Sequence, residues 1–201
     1  MTLFKGKYRI ESNRLQNWDY SGNGHYFITI VTENRDCIFG EIENNKLIPS
    51  DFGIIADIEW LASFDIRKEL LLDEYILMPN HLHAIIIIKK PASVVQTYGR
   101  PSRRGSDHPD QLETGLDKSN PKLYRKPKSI SSFLAGYKSS VNTKIDDFID
   151  QNKLDLEKYN KYNKLWQSNY HDHIIRNMEE YWRIKKYIQN NPKNWKLDKQ
   201  H

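Results

Sequence analysis

The chain has one cysteine, Cys37, among its 201 residues. An internal disulfide framework and a four-cysteine zinc site are therefore both excluded. No apolar run reaches the length that crosses a membrane, and the first residues, MTLFKGK, lack the apolar core of a secretory signal. These absences predict a cytoplasmic protein with no membrane partner.

The chain also lacks a strong excess of either charge. Lys and Arg number 31 against 26 Asp and Glu, which gives a formal net charge of +5 and a pI near 9.1. This mildly basic balance permits nucleic-acid binding without requiring it. The length and the hydrophobic content of 38% suit one substantial core, so we predict a single domain over residues 1–201.

Residues 91–127 differ in composition from the rest. They hold five of the eight prolines and few large aliphatic side chains, which predicts a flexible insertion. From Lys89 to Lys144 there are twelve Lys or Arg against four Asp or Glu, so the segment is either a solvated surface or one that binds phosphates. On the second interpretation the DNA-binding residues are Arg100, Arg103, Arg104, Arg125, Lys126, Lys128 and Lys138.

The string MPNHLH at residues 78–83 precedes a nearly pure isoleucine run. Such a run is typical of a buried strand, on which residues two apart point to the same face. His81 and His83 would then stand about 7 Å apart at Cα, a spacing that lets two imidazoles share one divalent metal. The alternative is a pair of histidines that hydrogen-bond within the core or at the surface.

Strand and helix patterns alternate along the chain. Predicted strands cover residues 24–33, 70–78, 82–88 and 166–175, with a hairpin at Asn44-Asn45. Helical spacing predicts helices that start after Ser50 and after Ser129, and a third over 178–190. The apolar stripe of the second helix contains Tyr137.

Several short stretches occur in a fixed order: WDYS at 18–21, YFITI at 26–30, YILMPNHLH at 75–83, KPKSI at 126–130, GYKS at 136–139 and YIQNNP at 187–192. In this order they resemble the HUH single-tyrosine transposases, particularly the REP-associated tyrosine transposases. The resemblance covers nearly the whole chain. Its most specific part is the Met-Pro-Asn-His-x-His string.

The resemblance implies an α+β fold, a ferredoxin-like antiparallel sheet with helices packed on it and the two histidines on a central strand. It also implies Mg²⁺- or Mn²⁺-dependent cleavage and rejoining of single-stranded, hairpin-bearing DNA through a 5′-phosphotyrosine. His81 and His83 match the family's metal ligands. Such enzymes work as monomers or as dimers that exchange the tyrosine helix, and the sequence favours neither.

The nucleophile implied by the resemblance is Tyr137, on the helix that follows the histidine strand. In many relatives the tyrosine follows the helix lysine by two positions, which is Ser140 here, so Tyr137 could instead fill the core. Insertion-sequence members can use a Gln four residues after the tyrosine as a metal ligand, but position 141 is Val. His173, in the string YHDH at 170–173, is then our choice of third ligand. Four C-terminal aromatic residues are interpreted as packing residues: Tyr181, Trp182, Tyr187 and Trp195.

Two other functions remain open on the sequence. A non-catalytic, domesticated DNA-binding protein would recognise structured repeats through the basic residues alone. A metal-dependent phosphodiesterase would use an activated water and need no tyrosine. A covalent protein–DNA adduct separates the transposase chemistry from both.

Overall fold

The computed structural model describes residues 3–4, 7–8, 19–89 and 128–197. The predicted insertion at 91–127 lies outside the described residues. Five of the predicted DNA-binding residues lie outside them with it: Arg100, Arg103, Arg104, Arg125 and Lys126.

The described elements are β1 (Leu3–Phe4), β2 (Lys7–Tyr8), β3 (Gly24–Val31), β4 (Gly40–Glu43), β5 (Lys46–Pro49), α1 (Asp51–Ile66), β6 (Leu70–Met78), β7 (His81–Ile88), α2 (Ile130–Asn152), β8 (His171–Ile175) and α3 (Met178–Asn190). Strands β6, β7, β3 and β8 form an antiparallel sheet in that order. The chain order β3-α1-β6-β7-α2-β8 makes this the predicted ferredoxin-like α+β fold. The two histidines lie on the central strand β7, as predicted.

Local signals in the sequence account for the ends of several elements. Asn44 and Asn45 both adopt positive φ, at 48° and 61°, in the two-residue turn of the β4–β5 hairpin. The Ser50 hydroxyl accepts a hydrogen bond from the amide of Gly53 and caps α1. Ser129 caps α2 in the same way. These boundaries confirm the predicted hairpin and helix starts.

The two faces of the sheet bury different cores because β7 alternates its side chains. Leu82, Ala84 and Ile86 lie in the main core with residues of α1 and α2. His81, His83 and Ile85 point to the opposite face, on which α3 packs through Ile184 and Ile188. The sheet therefore separates helices α1 and α2 from helix α3.

The last predicted strand is shorter than expected. Only His171–Ile175 pairs with β3, whereas Trp166 forms a single bridge to Thr32. Between them, the carbonyl groups of Gln167 and Asn169 accept hydrogen bonds from the ammonium group of Lys138, which ties this segment to α2. None of the helices in the described ranges combines the length and apolarity needed to cross a bilayer.

Candidate active site

Two adjacent imidazoles form the centre of the site. A two-residue turn joins β6 to β7, so that Met78 pairs with His81 at the start of β7. His81 and His83 are buried, and their ring centroids lie 4.4 Å apart. Imidazoles this close can share one ligand.

Asn80, the residue before His81, fixes the orientation of that ring. Its amide nitrogen donates to the Arg35 carbonyl at 3.0 Å, and its Oδ1 lies 2.7 Å from Nδ1 of His81. Because a carbonyl oxygen only accepts, Nδ1 of His81 carries the proton. The lone pair of neutral His81 is then on Nε2, as in a metal-binding histidine held by a hydrogen bond on its other nitrogen.

His83 is held in a similar way by the neighbouring strand. Thr29 on β3 pairs with His83, and its Oγ1 lies 2.7 Å from Nδ1 of His83. Nε2 of His83 lies 3.1 Å from the hydroxyl oxygen of Tyr187. If His83 has the same tautomer as His81, the Tyr187 hydroxyl donates to Nε2.

Tyr187 reaches this position from α3. Its ring contacts the rings of His83 and Phe27, at centroid distances of 5.2 and 6.2 Å, yet 42% of the residue is exposed. A hydroxyl that contacts His83, on a residue that is partly exposed, suits a nucleophile. Interpreting Tyr187 only as a packing residue missed this position.

The structure does not bring Tyr137 to the histidine pair. Tyr137 is 1% exposed, packs against Trp60 and Trp166 in the main core, and donates its hydroxyl to the Ala56 carbonyl at 3.1 Å. Burial, with Asp57 adding to it, raises the pKa of Tyr137 well above its usual value. The prediction that Tyr137 shares a site with the histidines is therefore wrong, because the sheet lies between them.

The predicted third ligand also lies elsewhere. His173 is on β8, two strands from β7, and its Nε2 lies 2.7 Å from a Glu180 carboxylate oxygen. The amide of Arg176, with His173, holds the pKa of Glu180 below its usual value. Within residues 19–89 and 128–197, no cluster of three His, Cys, Asp or Glu side chains suits a metal.

An amide side chain follows Tyr187 by about one helical turn. Asn191 is buried and follows Tyr187 by four residues, which puts both on one side of the helix. The sequence carried this signal, since YIQNNP was among the matching stretches and its first and fifth residues have the spacing expected of a nucleophile and a polar ligand. On α2 the same spacing gives Tyr137 and Val141, which has no polar atom in its side chain.

Of the predicted DNA-binding set, the structure describes two residues, one within α2 and one just before it. Lys138 donates to the Gln167 carbonyl at 2.7 Å and contacts the Trp166 ring, which makes it a link between α2 and the segment before β8. Lys128 is exposed, just before the start of α2. Their helix packs on the face of the sheet that the histidines do not occupy.

Fold and site together define an α+β protein with a paired-imidazole and tyrosine centre on one face of its sheet. A solved REP-associated tyrosine transposase bound to a REP hairpin has the same fold, with a TM-score of 0.54 at 14% identity over 94% of this chain and 77% of that one. No protein-family model matches the sequence.

A closer relative shows the family. The chain is 32% identical over 197 residues to an uncharacterized protein of Haemophilus influenzae, a match that covers 96% of this chain and 93% of the relative. The chain belongs to the same family as that protein.

Proposed function

We propose that this protein is a metal-dependent enzyme that cleaves and rejoins single-stranded DNA, with Tyr187 as its nucleophile. The observation that carries the proposal is the 3.1 Å contact between the Tyr187 hydroxyl and Nε2 of His83. The shared fold with a transposase bound to a REP hairpin supports DNA with a hairpin as the substrate.

The residues present fit a divalent metal. With both Nδ1 atoms held by Asn80 and Thr29, the Nε2 atoms of His81 and His83 are the natural ligands. The amide oxygen of Asn191 is our proposed third ligand, since Mg²⁺ and Mn²⁺ prefer oxygen donors. When bound, Mg²⁺ or Mn²⁺ would supply charge stabilisation at the scissile phosphate.

Tyr187 would carry out the covalent step. Its hydroxyl oxygen attacks the phosphorus and loses its proton to a base or to solvent, while the bond from phosphorus to the 3′ oxygen breaks. The leaving oxygen takes up a proton and becomes a free 3′-OH, and the 5′ phosphate stays on Tyr187. Attack by a 3′-OH reverses the step and rejoins a strand without an external energy source.

The basic segment would hold the DNA. Phosphate contacts from lysine and arginine give sequence-independent affinity that falls with salt. The predicted set, Arg100, Arg103, Arg104, Arg125, Lys126, Lys128 and Lys138, is retained as part of this proposal. Lys138 is its weakest member, because carbonyl groups of the protein already engage its ammonium group.

A covalent-adduct gel tests the proposal. Purified protein is mixed with labelled single-stranded hairpin oligonucleotides and Mn²⁺, with or without EDTA, and run under denaturing conditions. We expect a labelled band at the protein's mass that disappears with EDTA and in Tyr187→Phe. Cleavage with no attached protein would replace the proposal with hydrolysis by activated water, and binding without any cleavage would favour the non-catalytic DNA-binding protein.

A further inference from the structure

Helix α3 carries three functional stripes side by side. Ile184 and Ile188 pack on the sheet, and Tyr187, the proposed nucleophile, lies on a second side, followed by Asn191 directly after the end of the helix. The third stripe, Tyr181, Lys185 and Gln189, repeats every four residues and so shares one side of the helix. This polar stripe contacts strand β6 at the edge of the sheet.

The contact partners on β6 are two successive carboxylates. The Tyr181 hydroxyl donates a hydrogen bond to the Asp73 carboxylate at 2.9 Å. The Lys185 ammonium group donates to the same carboxylate at 3.2 Å. Gln189 donates to Glu74 at 2.7 Å. The polar stripe is thus tied to β6 at three successive turns of α3.

A β-bulge explains how two neighbours on one strand can face the same helix. Leu72 pairs with Ile86 and Glu74 pairs with Ile85, so Asp73 is an extra residue in the β6–β7 ladder. In a regular strand Asp73 and Glu74 would point to opposite faces. Because of the bulge, the alternation of side chains along β6 resumes one residue later. The carboxylates of Asp73 and Glu74 therefore both contact α3.

The apolar contacts of α3 cannot fix its position alone. Its buried core has four residues, Ile85, Ile175, Ile184 and Ile188, and apolar packing is non-directional. The hydrogen bonds to Asp73 and Glu74 are directional, and Lys185 and Asp73 are each only about one-fifth exposed. The Tyr181 hydroxyl and Asp73 also raise the pKa of Lys185.

We propose that Asp73 is a positioning residue, which sets the rotation and height of α3 so that the Tyr187 hydroxyl meets His83. The inference rests on the proposed function and adds a residue that touches neither metal nor DNA. Misplacement of a reacting group by about 1 Å can cost about 100-fold in rate. Loss of the Asp73 contacts should therefore slow the chemistry rather than weaken binding.

The test compares Asp73→Ala with Asp150→Ala, which removes the same charge from an exposed ion pair with Lys158 on the other face. We expect Asp73→Ala to form the adduct about 10- to 100-fold more slowly, with DNA and Mn²⁺ dissociation constants within about twofold of wild type. Asp150→Ala should match wild type. An unchanged adduct rate, or a loss no larger than the loss of folded protein in Asp73→Ala, would overturn the inference.

Two further measurements separate positioning from folding. The swap of Asp73→Lys with Lys185→Asp restores the ion pair, and should recover most of the adduct rate. In the metal-free protein, the ¹⁵N chemical shift of Nε2 of His83 reports its hydrogen bond to Tyr187, and Asp73→Ala should change that shift while Asp150→Ala does not. If wild type forms no adduct, the proposed function fails, and this shift alone decides whether Asp73 positions Tyr187.

Discussion

Tyr137 and Tyr187 lie on opposite faces of the same four-stranded sheet. The Tyr137 hydroxyl is buried against the Ala56 carbonyl, and the Tyr187 hydroxyl contacts His83. The two tyrosines thus form a natural pair of variants, one for stability and one for chemistry.

Replacing each tyrosine with phenylalanine should separate these roles. We expect Tyr187→Phe to lose the covalent adduct, while the loss of its hydrogen bond to His83 costs at most about 1 kcal/mol of unfolding free energy. Tyr137→Phe should keep the adduct and lose about 1 kcal/mol of unfolding free energy, the usual value of one hydrogen bond. Denaturing gels and urea unfolding measure the two effects. An adduct that survives in Tyr187→Phe would move the nucleophile to another residue.

Metal affinity should rise when the Tyr187 hydroxyl is removed. Nε2 of His83 cannot accept that hydroxyl and ligate a metal with the same lone pair, so the two compete. In wild type the metal has to displace a hydrogen bond worth about 1 kcal/mol, and in Tyr187→Phe it does not. We therefore expect Tyr187→Phe to bind Mn²⁺ roughly fivefold more tightly. Isothermal titration calorimetry without DNA measures this. Weaker binding would mean that the Tyr187 oxygen is itself a metal ligand.

Asn80 should matter to the metal although it does not bind it. Asn80→Ala removes the acceptor that holds the proton on Nδ1 of His81, and we expect Mn²⁺ affinity to fall about 10- to 100-fold. Asn190→Ala is a matched control, because among the described residues the Asn190 side chain donates to the Lys186 carbonyl of its own helix. Equal affinities for the two variants would argue against the orientation of His81 by Asn80.

Salt dependence should distinguish the residues that contact phosphates. Replacing Arg103, a proposed phosphate contact, with alanine should lower the slope of log affinity against log salt by about 0.7 to 1. Lys138→Ala should leave that slope unchanged and lower stability instead, because Lys138 binds carbonyl groups of its own chain. Fluorescence anisotropy with a labelled hairpin across several salt concentrations tests both expectations.

Tyr75 should contribute to a fall in stability in alkali. Burial, with the carboxylate of Asp57 beside it, raises the pKa of Tyr75 to about 12, whereas an unfolded tyrosine has a pKa of about 10. The unfolded state therefore loses its proton first, and the contribution of Tyr75, complete below pH 10, is lost as pH rises toward 12. As pH rises from about 9 to about 12, the urea concentration at the midpoint of unfolding should fall less steeply for Tyr75→Phe than for wild type. The control Tyr162→Phe, at an exposed tyrosine, should show the same pH dependence as wild type. The same pH dependence in Tyr75→Phe would contradict the raised pKa of Tyr75.

The sequence predicts those features of this fold that local patterns determine. The isoleucine run of β7, the caps at Ser50 and Ser129, and the turn at Asn44-Asn45 all depend on residues within a few positions of one another. The nucleophile depends on which face of the sheet a helix covers. Tyr137 and Tyr187 both lie in helices with apolar stripes, and periodicity does not distinguish the two faces.

The supporting contacts of the site were hidden for a related reason. Thr29 meets His83 only because β3 and β7 pair in one particular register, and the register of long-range strands is not visible in either strand alone. The bulge at Asp73 is similar, since the sequence there reads as two polar residues that interrupt an apolar strand. Each becomes informative only when its distant partner is known.

The alternation of β7 gives the Pro79-Asn80 turn a constraint on its length. Strand side chains repeat every two residues, so a pairing shift of one residue exchanges the two faces of a strand. If the turn keeps its two-residue geometry, one residue added to or lost from the chain here turns both histidines toward the main core and Leu82 toward α3. The number of residues that connect β6 to β7 therefore decides which face of the sheet carries the imidazoles.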